Sequence, residues 1–180
     1  LSGSVKPAES VLVYDDNGGH PGMTAAEMIA SAGSRLELVS PERFFAPDIG
    51  GMNHVPYMKT FHERGVRITI NTRLRSVRRE GNKLVATLGS DFSADYREDR
   101  QVDQVVVEHG TVPNDDLYVA LKPLSRNRGA IDYERLVGGG DAFPVHDEAA
   151  AFTLYRIGDA VASRNIHAAI YDGIRFGMRI

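Results

Sequence analysis

Short apolar runs alternate along the chain with polar, glycine-bearing breaks. Val11-Leu12-Val13-Tyr14 is bounded by Asp15-Asp16-Asn17-Gly18-Gly19, which reads as a buried strand running into a loop. Residues 24–32 then carry a helical pattern. Thr24 and Glu27 have the spacing of a capping box, Ala25, Met28 and Ile29 line one face, and Gly33 ends the helix. Leu36-Glu37-Leu38-Val39 is a second strand, so the first 40 residues predict a parallel βαβ crossover.

Farther along, residues 55–64 predict a helix, and Gly65 precedes a strand at 66–70. Three more strands are expected at 73–79, 84–88 and 92–97, with Glu80-Gly81-Asn82-Lys83 turning between the first two. These form an antiparallel β-meander inserted between parallel strands. Residues 102–107, centred on Val105-Val106-Val107, return to the buried parallel type. Beyond Pro113, residues 114–121 suit a short helix capped by Asn114. Pro123, Pro144 and Gly138-Gly139-Gly140 make 122–151 mostly loop, with a short strand near Ile131. Leu154-Tyr155-Arg156-Ile157 reads as a last strand, ending in Gly158-Asp159-Ala160, and 166–176 as a helix.

Composition narrows the functional classes. Of 180 residues, 42% are hydrophobic and 25% charged, as in ordinary globular proteins, and the net charge of −3 provides no broad field for nucleic acid. The arginines at 73, 75, 78 and 79 recur beside Glu80 and Asp91 without interleaved aromatic residues, so they read as a solvated sheet face. No apolar run approaches the ~20 residues that span a bilayer. Residues 1–9 lack the features of a secretory signal, so neither membrane nor nucleic acid is an expected partner and a cytoplasmic location is the default. The chain has no cysteine, which excludes disulfides, iron–sulfur ligation and thiol catalysis by these residues. Its six histidines have no metal-site spacing, and His146-Asp147-Glu148 reads as a solvated loop.

Two segments bear on nucleotides. The loop at 15–22 sits where a dinucleotide-binding unit carries its Gly-x-Gly-x-x-Gly turn, but Gly18, Gly19 and Gly22 do not read as that spacing. A helix beginning near Ala25 would make the loop too long, and Asp15 and Asp16 would repel a diphosphate. The Gly158-Asp159 turn is the better candidate. A glycine lets backbone approach a sugar-phosphate closely, the carboxylate accepts hydrogen bonds from ribose or ribityl hydroxyls, and the following helix start favours phosphate. His167, in the first turn of that helix, lies near a bound cofactor or packs structurally; position alone leaves both readings open.

Together these residues resemble the C-terminal region of the trimethylamine dehydrogenase-like flavoproteins, which include 2,4-dienoyl-CoA reductase and demethylases of amines or N-methyl amino acids. The resemblance rests on Val11-Leu12-Val13-Tyr14, Ala26-Glu27-Met28-Ile29-Ala30, Leu38-Val39-Ser40-Pro41, residues 105–114 and Tyr155-Arg156-Ile157-Gly158-Asp159-Ala160 with the helix beyond, and it covers nearly the whole chain. Residues 46–57 look closest to the demethylase branch.

The resemblance implies an α/β fold: a Rossmann-like FAD/NAD(P)-binding-type three-layer domain with a parallel sheet plus an antiparallel β-meander. Residues 9–112 would be an inserted NAD(P)-binding-like domain, and 113–180 a partial return into the FAD/ADP-binding domain. FMN and a 4Fe-4S cluster would belong to the parent protein only, with FAD or ADP at the Gly158-Asp159 motif. Gly158, Asp159, Ile166, His167 and Gly110 are the implied cofactor-binding residues, with no catalytic residue and no metal ligand among them. Glu108 and His109 replace the Ala-Thr of the family's Ala-Thr-Gly-Arg-x-Pro-Asn link.

The expected function is therefore a nucleotide-binding-type part of an iron–sulfur flavoprotein oxidoreductase acting on an N-methyl amine or amino acid, catalytically silent by itself. Its partners would be the remaining domains of the parent enzyme and an electron-transfer partner, with a homo-oligomer left open. Two alternatives stand beside it: a non-catalytic Rossmann-like docking or scaffold module, and an NAD(P)H-dependent enzyme resembling dienoyl-CoA reductase.

Overall fold

β1 (Ser10–Asp15) is buried at every position, because both of its faces are covered. In the computed structural model, which describes residues 3–178, it lies at the centre of a parallel sheet of order β3-β2-β1-β7, with β2 at Arg35–Val39, β3 at Arg67–Thr69 and β7 at Gln104–Glu108. Val11 and Val13 pack with Met23, Ala26 and Ile29 of α1 (His20–Ser31) and Phe61 of α2 (Gly51–Glu63). Leu12 and Tyr14 pack on the opposite face with Ala86, Leu88 and Val102. These belong to an antiparallel sheet of β4 (Arg73–Glu80), β5 (Lys83–Gly89) and β6 (Arg97–Val102). The strand alternation thus fixes three layers: helices, parallel sheet and meander.

The chain divides into two compact units, Leu1–Gly110 and Thr111–Ile180. Within the first, several boundaries differ from the sequence reading. α1 begins at His20 rather than Thr24, with Gly19 as its N-cap and Pro21 in its first turn, where a missing N–H costs nothing. There is no capping box: the Thr24 hydroxyl lies 3.0 Å from that of Tyr57, and Glu27 accepts a hydrogen bond from Thr60. α2 also starts early, so Met52, Asn53 and His54 are helical and Pro56 lies inside the helix. Expected strand 92–97 is instead a turn, with Tyr96 N–H donating to Ser93 O, and the third meander strand is Arg97–Val102. Its side chains supply Val102 to the core and Arg100 to Glu37; Val102, expected to open the last parallel strand, closes the meander instead, and β7 begins at Gln104.

In the second unit the helices are α3 (Asp116–Leu121), α4 (Tyr133–Gly138) and α5 (Ile166–Gly177). Asp115, not Asn114, is the N-cap residue of α3. The expected strand near Ile131 is replaced by the approach to α4, whose N-cap Asp132 accepts the N–H of Arg135. Residues 154–157 form no sheet either. Leu154 instead exchanges two hydrogen bonds with the buried amide of Asn127, at 2.9 and 2.7 Å, so one side chain plays the part of a neighbouring strand. The core of this unit is an aromatic stack in which Tyr155 lies 5.3 Å from Phe143 and 5.2 Å from Phe176, over Leu136 and Ala142. α5 agrees with the sequence reading to within a residue, and Asn165 caps it by accepting from Ala168 N–H.

Candidate nucleotide site

The parallel pairing of β1 with β7 leaves a crevice at their carboxyl ends, the end of an open α/β sheet where nucleotides commonly bind. The loop there is only Asp16–Gly19, because α1 starts at His20. This corrects the expectation of an overlong loop. Gly19 and Gly22 have the separation of the last two glycines of a phosphate turn, with Asn17 where the first would stand. Gly22 lies in the first turn of α1 so close to β1 that a Cβ would sit 2.6 Å from Asp15 Cγ.

The chemistry of this crevice is nevertheless wrong for a diphosphate. Asp15 is buried, and its Oδ1 accepts the N–H groups of Asn17 at 3.0 Å and Gly18 at 2.8 Å, donors that a phosphate would need. Glu108 occupies the same register on β7, and its Oε1 accepts Gly110 N–H at 3.0 Å. Glu108 Oε2 is buried without a hydrogen-bond partner. Burial pushes the Glu108 carboxyl above its ordinary range, the Gly110 N–H opposes this, and the charge of Asp15 adds to the rise. Outside the pair, His109 Nδ1 meets Asp16 Oδ2 at 2.6 Å. The pyrophosphate of NAD(P)H does not fit these residues.

The second candidate lies in the other unit, on the single 3₁₀ turn Gly158–Ala160. Gly158 is buried at φ +59°, a left-handed conformation that favours glycine, and its Cα faces Ala169 so that a Cβ would come within 3.3 Å of the Ala169 methyl. Its N–H donates at 3.1 Å to Oδ2 of Asp172, an α5 side chain that also pairs with Arg164. At the other end of the turn Arg156 donates to Ala160 O at 3.2 Å, pairs with Asp115 and lies 4.6 Å over the Tyr118 ring.

Asp159 is exposed between these anchors, and among the described residues its carboxylate has no hydrogen-bond or ion-pair partner. A free carboxylate on a fixed turn fits the hydroxyls of a ribose or ribityl chain. Ile166 and His167 are exposed in the first turn of α5. The structure therefore brings Gly158, Asp159, Ile166 and His167 into one unit. Gly110 is in the other, beside Asn17, with its N–H engaged by Glu108.

Asp172 and Arg164 were missed in the sequence, as was the burial of one carboxyl oxygen of Glu108. Asp172 left one signal: it is an acid four residues before Phe176 on the face of α5 that turns inward. Among the described residues no group of three histidine, aspartate or glutamate side chains could hold a metal ion, and no helix is long and apolar enough to cross a membrane.

No family model matches the chain. It is 47% identical over 97% of its length to a probable N-methylproline demethylase of Rhizobium meliloti, and 40% identical over 97% to an N,N-dimethylglycine/sarcosine dehydrogenase of Chromohalobacter salexigens. It spans about a quarter, 26%, of each of these relatives. Among solved structures, histamine dehydrogenase from Rhizobium sp. 4-9 superimposes with a TM-score of 0.66 at 21% identity, over 96% of this chain and 23% of that one.

Proposed function

The chain belongs to the C-terminal Rossmann-like region of the trimethylamine dehydrogenase and 2,4-dienoyl-CoA reductase family, and on that premise we propose that it completes a nucleotide site in a larger flavin-dependent oxidoreductase. The parent enzyme would oxidise an N-methyl amine or amino acid, a substrate class suggested by the names of its two relatives. Its hydride chemistry belongs to a flavin, so this part of the chain is catalytically silent and serves binding and orientation. FMN and a 4Fe-4S cluster would be held elsewhere in the parent, since no cysteine is present here. A cytoplasmic location, and an electron-transfer partner for the parent, complete the reading.

The observation that carries the assignment is the exposed, unpaired Asp159 carboxylate on a turn whose backbone is held at both ends by side chains of its own unit. Asp159 would accept hydrogen bonds from the sugar hydroxyls of FAD or ADP, and Gly158 would provide backbone clearance. Ile166 and His167, in the first turn of α5, would flank the same nucleotide. The carboxylates in the β1–β7 crevice argue against the reductase alternative, in which NAD(P)H would occupy that position.

The test is an absorption spectrum of the full parent protein, followed by titration with FAD, ADP and NADH. Flavin bands and an ADP or FAD affinity lowered about tenfold by Asp159→Ala are expected. Tight NADH binding that survives Asp159→Ala would defeat the assignment and return attention to Asp15–Gly22. A spectrum without flavin or iron–sulfur bands would favour the scaffold reading.

A further inference from the structure

We infer that Asp172 is a positioning residue for the nucleotide contact made by Asp159, an inference that rests on the proposed role of the Gly158–Asp159 turn. Two donors from outside α5 meet at this one side chain. Asp172 comes from the middle of α5 and is only 9% exposed, and its Oδ2 receives both the Gly158 N–H and the Arg164 guanidinium. A buried carboxylate needs such donors, and a buried N–H needs such an acceptor. Their union ties the first residue of the 3₁₀ turn to the helix behind it.

The rest of the turn is held without Asp172. Gly158 O accepts the N–H of Val161 at 3.0 Å, Arg156 holds Ala160 O, and Ala169 backs the glycine. Asp159 lies between the two fixed ends. Loss of the Asp172 acceptor would free the Gly158 end only, letting the peptide that carries Asp159 rotate while the aromatic core under Tyr155 and Phe176 stays in place. Asp172 thus acts on the ligand through Asp159 and does not touch it.

The experiment is calorimetric titration of nucleotide-free parent protein with ADP, comparing the native chain with Asp172→Ala, Asp172→Asn, Asp159→Ala and the Asp159→Ala/Asp172→Ala pair. Asp172→Ala is expected to weaken ADP about tenfold, whereas Asp172→Asn, which keeps a neutral acceptor, stays within about threefold of native. In the Asp159→Ala background the Asp172→Ala loss should vanish, the signature of two coupled residues. An undiminished tenfold loss in that background, or no loss from Asp172→Ala in the native one, overturns the inference while leaving Asp159 as the contact. ADP binding indifferent to Asp159→Ala overturns the nucleotide reading itself, and the role of Asp172 with it.

If Asp172→Ala does not fold, hydrogen exchange of the unmodified protein decides. The Gly158 amide should exchange at least about 100-fold more slowly than an open peptide, and exchange at the open rate overturns the inference.

Discussion

Asp15 and Glu108 are register partners at the carboxyl ends of β1 and the edge strand β7, and they place two carboxyl groups in one crevice. Asp15 is satisfied by the loop N–H groups of Asn17 and Gly18, whereas one Glu108 oxygen is buried with no partner. The loop donors that would cradle a phosphate in a dinucleotide enzyme are thus saturated from within by a residue of the strand itself.

A pH dependence follows from Glu108. Its folded-state carboxyl holds a proton above the ordinary glutamate range, first because of burial and then because of Asp15. Over the window between the unfolded and folded values the native state binds more protons, so stability falls as pH rises through it. Above the folded value the whole penalty applies. Glu108→Gln removes the ionisation and keeps an oxygen for Gly110 N–H. The variant should melt above the native protein at pH 8 and together with it at pH 4. Equal melting at both pH values would show that Glu108 ionises freely in the folded protein.

Gly22 offers a sharper steric test. A Cβ at this position meets the Asp15 carboxyl, which is the side chain of a buried strand residue and cannot swing away cheaply. Gly22→Ala should destabilise by about 1–3 kcal/mol, as overpacking does in other cores. Asp15→Gly should absorb the added methyl, so the double variant costs less than the two single changes summed. Denaturant unfolding of the three variants measures this; strict additivity would mean that α1 simply moves outward.

What the sequence revealed follows from how local its causes are. The strands β1 and β2, the first two strands of the meander and α5 were legible because each is written in a local pattern of apolar and polar positions, whereas the third meander strand lies several residues beyond its expected place. The start of α1 was not, since His20-Pro21-Gly22 has the composition of a loop and becomes helical by packing against Asp15. Likewise, Leu154-Tyr155-Arg156 looks like a strand, yet its partner is the Asn127 side chain, 27 residues away. At the candidate site, Gly158 and Asp159 were visible as a motif. Asp172 was not, because a single acid in an amphipathic helix declares its burial only after the helix has docked. The Glu108 carboxyl was hidden for a similar reason: its partner Asp15 is brought alongside by β1–β7 pairing across most of the first unit.

The link between parallel sheet and meander gives a third prediction. Glu37 on β2 accepts from Arg100 Nε on β6 and from Thr69 on β3, both at 2.8 Å, and the Glu37 and Arg100 side chains are mostly buried. Removing one partner strands the other in a poorly solvated place, although Arg100 keeps Glu98 as a second carboxylate. Glu37→Ala should cost about 2–3 kcal/mol in urea unfolding, less than a wholly orphaned buried charge would. The paired replacement Glu37→Leu/Arg100→Met should recover most of that loss by filling the space with apolar atoms. A double variant as unstable as Glu37→Ala alone would show that the ion pair, and not the packing, holds these layers together.

The second unit should respond separately, because its core shares no residue with the clusters on either face of the parallel sheet. Phe176 is buried in α5 and stacks on Tyr155, with Phe143 on that ring's other neighbour contact. So small a cluster has few neighbours able to collapse into a void. Phe176→Ala should therefore cost about 3–5 kcal/mol, and Phe176→Leu distinctly less. Hydrogen exchange locates the effect. Amides of α5 and of Leu154, whose N–H is held by Asn127, should lose protection, while those of β1 and β7 keep theirs. Protection lost equally from β1 and α5 would mean that the two units unfold as one.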